Sequence, residues 1–216
     1  MGWNITATFI KDIGEIEINI GLLESLGFRG FKFIGETDFN IGPEIGETYI
    51  TNYKGNLIIA NADLCWQFAK PIQSLTEKKF LEKFPDLEII QISIGYGLSY
   101  CIFQNGEKIR LREAGDEIHQ DFGNPLPEEI IVRTQELISK EDLYEMREDL
   151  SEKEIQDHIE SEVTYETAFE LTKRIFGKRY DELELSEYEI KGLKFVNQSI
   201  ELEKDYGKKA EMQFVQ

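Results

Sequence analysis

Residues 99–112 read SYCIFQNGEKIRLR. Asn105-Gly106 divides this run into two apolar segments, Ser99–Gln104 and Glu107–Arg112. An Asn-Gly pair between such segments is a strong hairpin signal, because both turn residues must take positive φ. The stretch therefore predicts two antiparallel strands and sets the fold class. Upstream, Leu87–Ile94 is rich in β-branched residues and reads as a strand. Downstream, an Ala114-Gly115-Asp116 turn leads into a further strand over Glu117–Phe122. Strands joined by successive tight turns imply a largely antiparallel sheet.

The same signals recur toward the N-terminus. Residues 3–10 alternate as a strand, with Ile5, Ala7 and Phe9 on one face. Ile18, Leu22, Leu23 and Leu26 have helical spacing, and Gly27 is the natural stop. Phe31 and Phe33 begin another strand, and Tyr49–Tyr53 and Leu57–Ala60 flank a Lys54-Gly55-Asn56 turn. Thr76–Phe84 reads as a short helix, with Thr76 as N-cap and Pro85 closing it. All five prolines lie at or before Pro127, so the remainder is free to form long helices. There Ser151-x-x-Glu154 is a capping box, Tyr165–Phe176 is a helix ending at Gly177, and Ser186–Phe195 reads as another. The expected fold is α+β. Residues 1–127 form a mostly antiparallel sheet with helices packed on it, 128–202 a helical part of the same domain, and 203–216 a loosely held tail.

The composition supports a core and constrains function. Apolar residues make up 41% of the 216, with 14 Phe and 9 Tyr. Acidic residues outnumber basic ones by 42 to 24, a net charge of −18. Such a chain lacks the basic face that nucleic acid demands and is repelled by anionic lipid, so neither nucleic acid nor membrane is an expected partner. A basic protein is the compatible one. Two cysteines, Cys65 and Cys101, make no disulfide framework, and no apolar stretch is long enough to span a bilayer. A cytoplasmic location is the expectation.

The run Tyr100–Arg110, together with Asp121-Phe122-Gly123-Asn124-Pro125-Leu126-Pro127-Glu128-Glu129, resembles a pattern in a family of uncharacterised bacterial proteins of unknown function. The resemblance covers roughly residues 87–130. It implies a bacterial origin and assigns no residue a role.

Several constellations carry possible chemistry. Lys108, Arg110 and Arg112 alternate, which on a regular strand puts them on one face as a row for an anionic ligand. Glu117, His119 and Asp121 alternate likewise and are the metal-ligand candidates, for Zn²⁺ or Mn²⁺. Cross-strand pairing between the two rows is the structural alternative. Gly95-Tyr96-Gly97 lacks the third glycine and following helix of a dinucleotide fingerprint and reads as a bend. Cys65 stands at a strand-to-helix junction, and Asp63 there reads as a strand-end carboxylate or a cap. No cofactor is implied. Three functions follow in order: a non-catalytic binding or accessory protein of immunity type that engages a basic partner; a metal-assisted hydrolase built near Arg110, Arg112, His119 and Asp121; and a sensor of small anions. The stretch 128–162 holds 13 acidic and four basic residues and so concentrates −9 of the charge where amphipathic helices are expected.

Overall fold

The computed structural model describes residues 3–95, 97–184 and 189–199. Among them run nine strands and six α-helices in the order β1 (Ile5–Ile10), α1 (Ile20–Ser25), β2 (Phe31–Asp38), β3 (Glu47–Tyr53), β4 (Asn56–Ala60), α2 (Asp63–Phe68), α3 (Leu75–Lys83), β5 (Ile89–Ile94), β6 (Leu98–Gln104), β7 (Glu107–Ala114), β8 (Ile118–Gly123), α4 (Pro127–Val132), α5 (Lys140–Asp149), α6 (Glu152–Phe176) and β9 (Lys191–Asn197). The strands form one antiparallel sheet in the order β2-β9-β3-β4-β1-β5-β6-β7-β8.

The hairpin signals hold. β6 and β7 pair across Asn105-Gly106, whose φ values are 51° and 78°. β3 and β4 pair across Lys54-Gly55, with φ values of 49° and 79°. Gly95 is a bend between β5 and β6. α3 starts two residues earlier than an N-cap at Thr76 would place it. Its N-cap is Ser74, which completes a capping box with Glu77.

The sheet is covered on both faces. One face packs Ile5, Ala7, Phe9, Ile58, Ile90, Ile92 and Ile102 against Ala168, Phe169, Leu171 and Ile175 of α6. The other packs Ile10, Leu57, Ile59, Ile89 and Phe103 against Leu23 of α1, Leu64 and Phe68 of α2 and Phe80 of α3. Double coverage explains why β1, β4 and β5 are buried along their whole length. It also buries polar groups that alternation assigns to a solvated face. The Thr6 and Thr8 hydroxyls, both polar ends of the Gln91 amide and the Ser93 hydroxyl lie buried without hydrogen-bond partners.

The C-terminal expectation holds in part. The two helical segments foreseen around Ser151–Glu154 and Tyr165–Phe176 are one helix of 25 residues, α6, entered through the Ser151/Glu154 capping box and closed by Gly177 in the left-handed conformation. Ser186–Phe195 is not a helix where described: Lys191–Asn197 is β9, inserted between β2 and β3. The last described part of the chain thus returns to the N-terminal sheet, and the boundary near Pro127 does not separate sheet from helix. The tail expected over 203–216 lies outside the described residues.

Candidate functional site

The region singled out by the sequence lies at the β7–β8 edge of the sheet, where α4 and the N-terminal half of α6 close over it. Tyr100 faces Arg112 and Ile102 faces Arg110 across the β6–β7 ladder. The next pair is Phe103 with Lys108, so Ile109 is an extra residue on β7. A bulge of one residue reverses every side chain beyond it. Lys108 therefore does not share a face with Arg110 and Arg112. Gly123, at φ 87°, makes the bulge possible: a Cβ there would stand 2.0 Å from the Ile109 carbonyl oxygen.

Arg110 and Arg112 are almost wholly buried, at 1% and 2% exposure. Arg110 donates from Nε and Nη2 to the two oxygens of Glu129, at 2.6 and 2.8 Å. Its Nη1 reaches Asp121 at 2.5 Å and the carbonyls of Phe122 and Gly123. Arg112 donates to Thr164 Oγ1 at 2.8 Å, to the other oxygen of Asp121 at 2.9 Å and to Glu160 at 2.5 Å. Arg133 closes the network with a bidentate grip on Glu160, at 2.8 and 2.6 Å. Three guanidinium groups thus meet three carboxylates, and each buried charge is matched.

Local sequence explains the acceptors. Pro127 sets the first turn of α4, which places Glu129 where its carboxylate also accepts the Leu126 N–H at 3.1 Å. Glu160 and Thr164 are one helical turn apart on α6 and face the sheet together. The Arg133 guanidinium, with Arg112 behind it, holds the Glu160 carboxyl down at about 2. Burial and then the adjacent Glu129 carboxylate push the Tyr100 phenol well above its ordinary range.

This arrangement is a clasp. Every nitrogen of Arg110 and Arg112 is already bonded to the protein, so an anionic ligand would have to displace an internal carboxylate. Lys108, on the opposite face, is a second clasp. It binds Glu77 at 2.7 Å and the carbonyls of Phe68 and Lys70, tying α2 and α3 to β7. Burial raises the Glu77 carboxyl, and the bond from Lys108 works against that rise.

The metal candidates separate. Asp121 is held between the two arginines. A second bulge, between Glu113 and Ala114, makes His119 the unpaired residue of β8 and lays its ring beside Gly115. Glu117 is exposed and reaches Lys153 at 3.5 Å. Among the described residues no three His, Cys, Asp or Glu side chains gather to hold a metal ion. Of the foreseen cross-strand pairs, the structure forms the two through Asp121. Glu129, Arg133, Glu160 and Thr164 complete the network and were not singled out from sequence. The one sequence signal for Glu129 is its place in the first turn after Pro127.

Both cysteines are inert packing groups. Cys101 is fully buried, and Cys65 donates to the Ala62 carbonyl at 2.9 Å. Burial pushes the Cys65 thiol up to about 11. α2 is capped by Ala62 with no side-chain bond, so Asp63 is the first helical residue and not its cap.

Beside the clasp, α5 stands off α6 over a cavity of about 370 Å³ lined by Leu137, Ile138, Leu143, Ile159 and Val163, with Arg133 and Glu160 at its inner end. α5 has no buried residue. Among the described residues, its Glu141, Glu145, Glu148 and Asp149 carboxylates form no ion pair. Ile130, Ile131 and Tyr144 are exposed nearby, at 58%, 52% and 68%.

No family model, curated protein or solved structure matches the chain. No helix among the described residues is long and apolar enough to cross a membrane.

Proposed function

We propose that the protein is a non-catalytic binding protein, of accessory or immunity type, that engages a basic partner through the α4–α6 surface. The observation that carries this reading is α5: a helix with no buried residue, whose outer carboxylates are unpaired, standing over an apolar groove. Residues 128–162 carry −9. Concentrating like charge costs stability by self-repulsion, screened over about 10 Å at ordinary ionic strength. A surface that is both acidic and apolar fits a partner segment with Lys or Arg on one side and aliphatic side chains on the other. The clasp of Arg110, Arg112, Arg133, Asp121, Glu129 and Glu160 supports the reading by giving α4 and α6 a fixed base for that surface. The resemblance of residues 87–130 to an uncharacterised bacterial family assigns no role and leaves this reading to stand on the surface alone.

The test compares the wild type with two variants in pull-downs from native lysate: Glu141→Lys/Glu145→Lys/Glu148→Lys, and Leu143→Asp. The wild type retains a basic protein at low salt and releases it as salt rises, and each variant loses it while keeping its far-ultraviolet dichroism. Capture that survives both variants, or no basic protein at low salt, overturns the proposal.

A further inference from the structure

We propose that the crevice between α1, β2, α2 and α3 binds a small zwitterion, an α-amino acid with an apolar side chain. This site lies on the sheet face opposite α6 and does not depend on the α4–α6 reading. The crevice is a cavity of about 300 Å³ with Leu26, Phe28 and Leu64 on its apolar wall and Arg29, Asp63 and Gln67 among its polar groups. That volume is at the lower end of small-ligand pockets, about 300–1,000 Å³.

Arg29 in this crevice differs from the other arginines of the chain. Six arginines, Arg110, Arg112, Arg133, Arg147, Arg174 and Arg179, each form an ion pair. Among the described residues Arg29 forms none, although carboxylates outnumber cations. Asp63 likewise has no cationic partner among the described residues. The two line one cavity without forming an ion pair with each other.

The frame around Asp63 is fixed. Asn61 is 1% exposed, donates to Thr48 Oγ1 at 2.8 Å and to the Glu47 carbonyl at 3.2 Å, and accepts the Asp63 N–H at 3.0 Å. These bonds hold the start of α2 against the ends of β3 and β4. An amino acid would set its ammonium on Asp63, its carboxylate on Arg29 and its side chain on the wall of Leu26, Phe28 and Leu64. A carboxylate without a cation and a guanidinium without an anion would both be neutralised by one ligand of zero net charge.

Calorimetric titration tests the proposal, with leucine, methionine and phenylalanine as probes. At least one binds at a single site. Its analogue lacking the amine and its amide lacking the carboxylate each bind at least tenfold more weakly. Asp63→Asn and Arg29→Gln, both at exposed positions, each weaken binding at least tenfold and leave the unfolding temperature unchanged. No heat from any probe at millimolar concentration overturns the proposal. So does equal affinity for the analogues or for the variants. Loss of basic-partner capture in the α5 variants has no bearing on this titration.

Discussion

Glu129→Gln isolates the energetics of the buried clasp. Glu129 is fully buried and accepts three hydrogen bonds, two from Arg110 and one from the Leu126 N–H. Glutamine keeps the volume and one carbonyl oxygen, so the α4 cap can survive. It removes the charge and turns an amide NH₂ toward a guanidinium N–H, donor against donor. Breaking one side of a buried ion pair costs about 3–5 kcal/mol. Asp121 remains as a partner of Arg110 but is 49% exposed, so it compensates little. We expect a loss of about 3 kcal/mol, a large part of the ~5–15 kcal/mol typical of a domain. The unfolding temperature should fall by about 6–12 °C for a chain of this size. The control is Arg110→Met/Glu129→Leu, which removes both charges; apolar replacement of a whole buried pair is often neutral. Urea unfolding of the wild type, Arg110→Met, Glu129→Leu and the double variant closes the cycle, with Glu129→Gln measured beside it. The reasoning fails if Glu129→Gln costs less than about 1 kcal/mol, or if the double variant loses the sum of the singles.

Three further outcomes follow from the same geometry. Glu160 has its folded pKa lowered to about 2 from 4.5, so its stabilisation is present above pH 4.5 and is lost as pH falls toward 2. Because Glu160 is partly exposed, that contribution is about 1–2 kcal/mol after solvent screening, and Glu160→Gln should flatten the acid limb of the stability-versus-pH curve by this amount. Gly123→Ala places a Cβ 2.0 Å from the Ile109 carbonyl at φ 87°; it should cost at least about 2 kcal/mol in urea unfolding and loosen the β7–β8 amides to hydrogen exchange. Burial raises the thiols of Cys65 and Cys101, so an aromatic disulfide reagent at pH 8 should label neither in the native protein and both in denaturant.

Much of the architecture was legible in the sequence, because it rests on local chemistry. Asn105-Gly106 and Lys54-Gly55 take the positive φ that a two-residue turn demands, and Ser151/Glu154 caps a helix whatever lies around it. These signals act within a few residues, and they gave the antiparallel sheet, the entry of α6 and its end at Gly177. The acidic bias of 128–162 is likewise a property of the sequence itself. What depended on distant neighbours was decided by the tertiary structure. Lys191–Asn197 is a strand because the gap between β2 and β3 offers it two sets of backbone partners, which its own residues do not announce. Thr6, Thr8, Gln91 and Ser93 alternate with apolar residues along β1 and β5, a pattern that fits a sheet wet on one face; α2, a helix of six residues, packs against both strands instead. Lys108 and Arg110 lie two apart, a spacing that on a regular strand shares a face. The bulge at Ile109, permitted only by Gly123 across the ladder, sends one to α3 and the other to α4. A period of two is a local rule, but the register that applies it is set by the partner strand, and a single inserted residue sends Lys108 and Arg110 to opposite sides of the sheet.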